Sequence, residues 1–167
     1  MTQTSQQAQA KRNRGKRAEL DVVHLVDGKW YKDLTAPGSD HKCHFPLKAQ
    51  TGRQHRGGPD SPDVIHNMTG YHWEVTVEQA CRPWTAAWKR KLSQACRDAG
   101  PDVPILWWRE KGAAADKWLV TVFTRTDLNQ TARLVLCNPP ATIDGAVAPV
   151  VLHYRDLLRL LDWSEVQ

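Results

Sequence analysis

The segment from Trp84 to Phe123 constrains this chain more than any other. In "WTAAWKRKLSQACRDA", Trp84, Trp88, Leu92, Ala95, Cys96 and Ala99 recur at steps of three and four, the spacing of one helical face. Gly100-Pro101 closes that helix. The β-like run "YHWEVTV" precedes it, and "VPILWWR" and "KWLVTVF" follow, joined by "EKGAAAD". A helix between one strand pair and the next is a βαβ pattern, which predicts a mixed sheet with helices on its faces. Trp107 and Trp108 then point to opposite faces of one strand, so at least one is buried.

The flanking sequence fills out this frame. "DVIH" and "YHWEVTV", separated by "NMTG", predict a hairpin or neighbouring strands, with Gly70 suited to the turn. Ala18, Val22, Leu25 and Val26 predict a helix over roughly 14–27, with Asn13 as a cap and Glu19 in its first turns. Residues 28–62 carry Gly, Pro, His and charge, with a short strand at 43–48 and a loop at "TGRQHRGGPDSP". Further on, "TDLNQTARLVL" reads as a helix, "AVAPVVLH" as a strand and "YRDLLRLLDW" as a final amphipathic helix. The expected organisation is one α/β domain over 14–167, with a core at 14–123 and a C-terminal extension at 124–167.

Residues 1–13 read as a disordered basic arm. The formal net charge of +5 is concentrated around it: Lys11, Arg12, Arg14, Lys16 and Arg17 come with no acid before residue 18, leaving 18 basic and 18 acidic residues in the rest. Such an arm either holds phosphate backbones or is a solvated leader. Lys89, Arg90 and Lys91 form a second basic face, on the central helix, with the same two readings. Hydrophobic content of 41% with eight tryptophans supports a packed core. No run approaches the roughly 18 to 20 apolar residues of a membrane span, so no membrane partner is expected. The scattered Cys43, Cys81, Cys96 and Cys137 fit reduced thiols and a cytoplasmic location.

Two carboxylates, Asp63 and Glu74, fall near strand ends and would converge if those strands are neighbours. Hard divalent ions such as Mg²⁺ take one or two carboxylates together with water and substrate phosphate. The chemistry this suggests is phosphodiester hydrolysis.

The order "RGKRAELDVV", "RGGPDSPDV", "YHWEVT", "QACRDAG", "VPILWWR" and "KWLVTVF" resembles the Holliday-junction-resolvase-like branch of the PD-(D/E)XK nuclease superfamily, phage-encoded members in particular, from about Arg14 to Phe123. The resemblance implies a restriction-endonuclease-like central mixed β-sheet flanked by helices. It also implies a Mg²⁺- or Mn²⁺-dependent endonuclease acting on branched or junction DNA, working as a homodimer, in the bacterial host cytoplasm if phage-encoded. The family's catalytic roles fall on Glu19, Asp63, Glu74 and Thr76, with Asp63, Glu74 and the Val75 carbonyl as metal ligands. Lys16, Arg17, Arg53, Gln54 and Arg56 would contact DNA.

Thr76 stands where the family has a lysine. A neutral hydroxyl cannot stabilise the charge that develops on phosphorus-bound oxygens. Three accounts follow: another cation, with Lys117 favoured over Lys48 and Arg56, occupies the site; metal alone sustains slow cleavage; or the chain is a DNA-binding recombination accessory protein that does not cut.

Overall fold

A computed structural model describes residues 3–32, 44–52, 62–78, 82–127, 133–136 and 148–161. The chain begins with α1 (Gln3–Val26), followed by β1 (Trp30–Lys32) and β2 (His44–Pro46), which pair as a small antiparallel ribbon. Then come β3 (Ala49–Thr51), β4 (Val64–His66), β5 (Tyr71–Glu78), α2 (Ala86–Ala99), β6 (Val103–Glu110) and a 3₁₀ turn at Ala115–Lys117. The remaining elements are β7 (Leu119–Asp127), β8 (Arg133–Leu136), β9 (Ala148–His153) and α3 (Tyr154–Leu161). The main sheet has seven strands in the order β3-β4-β5-β6-β7-β8, with β9 also paired to β7. Among the described residues only β5 and β6 run parallel; the other pairings are antiparallel. The architecture is thus α/β, a mixed sheet flanked by helices.

The βαβ unit arises from local signals that agree with one another. Thr85 caps α2, its hydroxyl oxygen accepting from the Trp88 N–H. Gly100 ends the helix at φ 55°, and the chain returns to lay Tyr71–Glu78 beside Val103–Glu110 in parallel register.

Two apolar layers enclose the sheet. On one face Trp73, Ile105, Trp107, Val120 and Val122 pack against Ala18, Val22 and Val26 of α1 and Tyr154, Leu157 and Leu161 of α3. On the other, Leu106, Trp108 and Phe123 pack against Trp88, Leu92 and Ala95 of α2. Trp107 and Trp108 are therefore buried on opposite faces. The indole N–H groups of Trp88 and Trp108 both donate to Thr121 Oγ1, at 3.2 and 3.1 Å, so one hydroxyl satisfies two buried donors.

Trp84, read as part of the central helix's apolar face, precedes α2 and is exposed, and the structure departs from the sequence reading in three further places. Residues 3–13, expected to be disordered, continue α1 as helix, solvent-exposed from Ser5 on. Gln, Ala, Lys and Arg are good helix formers, the segment has no Gly or Pro, and Gln9 bonds Asn13 one turn on at 3.1 Å. Within "TDLNQTARLVL", Thr126 and Asp127 complete β7, and Arg133–Leu136 pairs with it as β8; short apolar runs do not distinguish strand from helix by period. The region after residue 123 is no appendage: β9 hydrogen-bonds along Leu119–Thr124, and α3 supplies three core side chains.

Candidate active site

The polar side chains of interest gather where the N-terminal half of α1 and the middle of α2 overhang β5. Together they line a cavity of about 710 Å³, bounded by Ala8, Lys11, Arg12, Arg14, Gly15 and Glu19 of α1, by Asp63, and by Glu74 to Val77 of β5. Arg90, Lys91 and Gln94 of α2 complete it.

Asp63 is placed by backbone pairing. Its N–H donates to the Trp73 carbonyl at 3.0 Å, and its Oδ2 accepts from the Val75 N–H at 2.9 Å, so the carboxylate is clasped against β5. Its own carbonyl accepts from the Gly52 N–H at 2.7 Å. A Cβ on Gly52 would collide with the Pro62 carbonyl, so this close approach of β3 to the Pro62-Asp63 peptide requires glycine.

Glu74 follows on β5, and His72, two residues earlier and on the same strand face, holds it: Nε2 lies 3.0 Å from Glu74 Oε1, with the imidazole almost wholly buried. Glu19, 2% exposed, faces the cavity from α1 beside the core residue Ala18.

The electrostatic result is an excess of buried negative charge. Burial pushes the Asp63 carboxyl up to about 7, the negative charges of Glu74 and then Glu19 add to the rise, and the Val75 N–H acts in the opposite sense. A group in this state is stabilised by any positive charge that enters the cavity. The residues fit a hard divalent cation in that respect, with Asp63 and Glu74 as the oxygen donors and water or phosphate completing the shell. Among the described residues no group of three or more His, Cys, Asp or Glu forms a ready-made metal cage. Glu19 thus shares the cavity without closing a three-carboxylate cage.

Glu19, Asp63, Glu74, Val75 and Thr76 are brought together. Thr76 is 6% exposed, on the β5 face that also carries His72 and Glu74. Lys117 is not brought with them. It sits in the 3₁₀ turn, exposed, its Nζ 3.6 Å from Asp116 Oδ2. It leads into β7, which β6 separates from β5, and two strand spacings are about 10 Å. Lys48 is exposed between β2 and β3 and does not line the cavity.

The expected DNA contacts are redistributed. Lys16 and Arg17 are exposed and outside the lining, because Ala8, Lys11, Arg12, Gly15 and Glu19 form the helical stripe that faces it and Arg17 falls roughly half a turn away. Arg53, Gln54 and Arg56 lie outside the described residues. The cations at the rim are instead Lys11 and Arg12, from the segment read as a free arm, Arg14, from the start of the predicted helix, and Arg90 and Lys91 of α2. The His72–Glu74 pair also escaped the sequence reading, although the spacing of two on a strand was a usable signal.

No helix among the described residues is long and apolar enough to cross a membrane. Comparison of the chain with protein-family models, with curated proteins and with solved structures gives no match.

Proposed function

We propose that this chain is a metal-dependent endodeoxyribonuclease that hydrolyses phosphodiester bonds in branched DNA, on a restriction-endonuclease-like fold. One observation carries the reading: three carboxylates, one of them held near neutral pKa by burial and its acidic neighbours, lie in a cavity rimmed by five basic residues from two helices. The rim matches a polyanionic backbone. The acidic floor matches a hard divalent cation whose remaining positions a substrate phosphate can fill. Mg²⁺ or Mn²⁺ held by Asp63 and Glu74 would supply Lewis acidity at the scissile phosphate and acidify the attacking water.

The chain's own groups do the rest. Lys11, Arg12, Arg14 and Arg90 seat the flanking phosphates. The Val75 N–H holds Asp63, and His72 holds Glu74, so both carboxylates are oriented before substrate arrives. Glu19 takes the proton of the attacking water as the new P–O bond forms. The phosphodiester P–O bond opposite it breaks, and the leaving oxygen takes a proton from solvent. Two equivalent strands in a four-way junction would call for two copies of the chain.

The test is incision of labelled four-way junction, flap and duplex DNA in Mg²⁺ or Mn²⁺, with Asp63→Asn beside the wild type. Wild-type incision, abolished in Asp63→Asn while DNA affinity persists, is the expected result. Absence of incision on every substrate, with tight junction binding, would overturn it. That outcome would favour the second reading, a non-cutting DNA-binding protein, for which the neutral Thr76 at the floor of the cavity is the specific support.

A further inference from the structure

The nuclease reading leaves the cavity floor without a cation, since Thr76 supplies none. We propose that Lys91 of α2 is the residue that meets the charge developing on the phosphate; this inference rests on the nuclease reading and deepens it.

Five basic residues line the cavity, and four of them, Lys11, Arg12, Arg14 and Arg90, are exposed. Lys91 alone of the five is half-buried. Its position on α2 explains why. Trp88, Leu92, Ala95 and Ala99 form the buried stripe of that helix, and Lys91 lies three residues after Trp88 and one before Leu92, at the stripe's edge. Gln94, three residues on, is half-buried in the same wall of the cavity.

A lysine so placed lays its methylene stem along the apolar layer and delivers its ammonium where the layer opens. The layer opens over Thr76. That residue is in register with Trp108, which packs in the same cluster as Trp88 and Leu92. A lysine on the strand at position 76 would project into the cavity from the sheet, and Lys91 projects into it from the helix above. Both positions line the cavity that Asp63 and Glu74 also line.

The exposed cations and Lys91 therefore divide the work. The former meet phosphates already charged in the ground state and act on affinity. Lys91, in the less hydrated part of the cavity, meets the extra charge on the phosphoryl oxygens as water adds and the leaving oxygen departs, and acts on rate. No bond to Lys91 forms or breaks.

The experiment compares wild type with Lys91→Met, Lys91→Gln and Lys111→Met, the last an exposed residue away from the cavity, after circular dichroism shows all are folded. Single-turnover incision of a four-way junction in Mg²⁺ should fall about 100- to 1000-fold in both Lys91 variants, with metal-free junction affinity within about threefold of wild type. Arg12→Gln with Arg14→Gln should show the reverse pattern, weaker binding with less than about tenfold change in rate at saturating protein. Adding Thr76→Lys to Lys91→Met should recover at least about tenfold of the lost rate, which a merely structural Lys91 would not allow. Mn²⁺ affinity, measured by calorimetry without DNA, should rise severalfold in Lys91→Met, because a like charge beside the cation has been removed. Equal incision rates for wild type and Lys91→Met overturn the role of Lys91 and leave the nuclease reading intact. So do a lost rate without Thr76→Lys rescue and an unchanged Mn²⁺ affinity. No incision by wild type overturns both.

Discussion

The two faces of β5 are made from one eight-residue strand, yet they do opposite things. Trp73, Val75 and Val77 belong to the apolar layer under α1 and α3, where Trp73 is completely buried and stacks at 5.2 Å from Trp107. His72, Glu74 and Thr76 share the other face, where two are buried and the third is held by its neighbour. On the first face the packed side chains are apolar apart from the indole N–H groups that Trp73 and Trp107 bury with them. On the second, polar and charged groups stay in a place that penalises them, and burial drives the adjacent Asp63 up to about 7. A desolvated carboxylate pair contributes nothing to folding that apolar side chains would not do better, so its retention points to work done on something else.

Four substitutions or measurements would break or sharpen this contrast. Trp73→Ala, on the apolar face, should cost about 3–5 kcal/mol of stability in urea unfolding, enough to leave little folded protein. A loss under 1 kcal/mol would mean that the two faces differ less than their burial indicates.

The polar face should show itself in the pH dependence of stability. The Asp63 carboxyl titrates at about 7 when folded against 3.8 in the unfolded chain, so between those values the native state holds the extra proton. The Asp63 contribution to stability is therefore fully present below about pH 4 and lost as pH rises to about 7, by at most about 4 kcal/mol, while His66, lowered to about 4 by burial against 6.5 in the unfolded chain, contributes in the opposite sense between those values. The stability of wild type relative to Asp63→Asn should therefore fall as pH rises through that window, and Mg²⁺ should raise the melting temperature more at pH 8 than at pH 5. Denaturant curves from pH 4 to 8 in which the two proteins keep a constant difference would count against a desolvated Asp63.

Thr121→Val should cost about 1–3 kcal/mol, since two buried indole donors lose their shared acceptor in one step. Calorimetry on Thr121→Ser, which keeps the hydroxyl, separates that loss from packing. The smallest effect is expected at the floor of the cavity: Thr76→Val should change stability by less than about 1 kcal/mol, because the residue lines the open cavity, where losing the hydroxyl strips no buried donor of its acceptor. A larger loss, seen by the same calorimetry, would show that the hydroxyl is held by a partner in the fold.

Much of the frame was legible because its signals are local. The repeat of Trp88, Leu92, Ala95 and Ala99, capped by Thr85 and stopped by Gly100, specifies α2 wherever it docks. Glu19, Asp63 and Glu74 were expected to act as one site, and the structure lines one cavity with all three. Their catalytic role is the part that incision assays decide.

The cations were misread for a definite reason. Lys117 looked suitable because it precedes a strand, but strand order, which places β6 between β5 and β7, puts it on the wrong side of the site. Lys11 and Arg12 looked unstructured because a helix held up by propensity alone shows no apolar period.

From the sequence by itself came the types of element, the αβ alternation, the burial of the paired tryptophans and the acidity of the candidate site, all of which depend on short-range sterics and on periods of two and 3.6 residues. Tertiary structure alone decided which charges meet. Whether Lys91 or Lys117 reaches Glu74 depends on how helices cross the sheet and which strands adjoin, and electrostatic energy falls with distances that no linear spacing encodes.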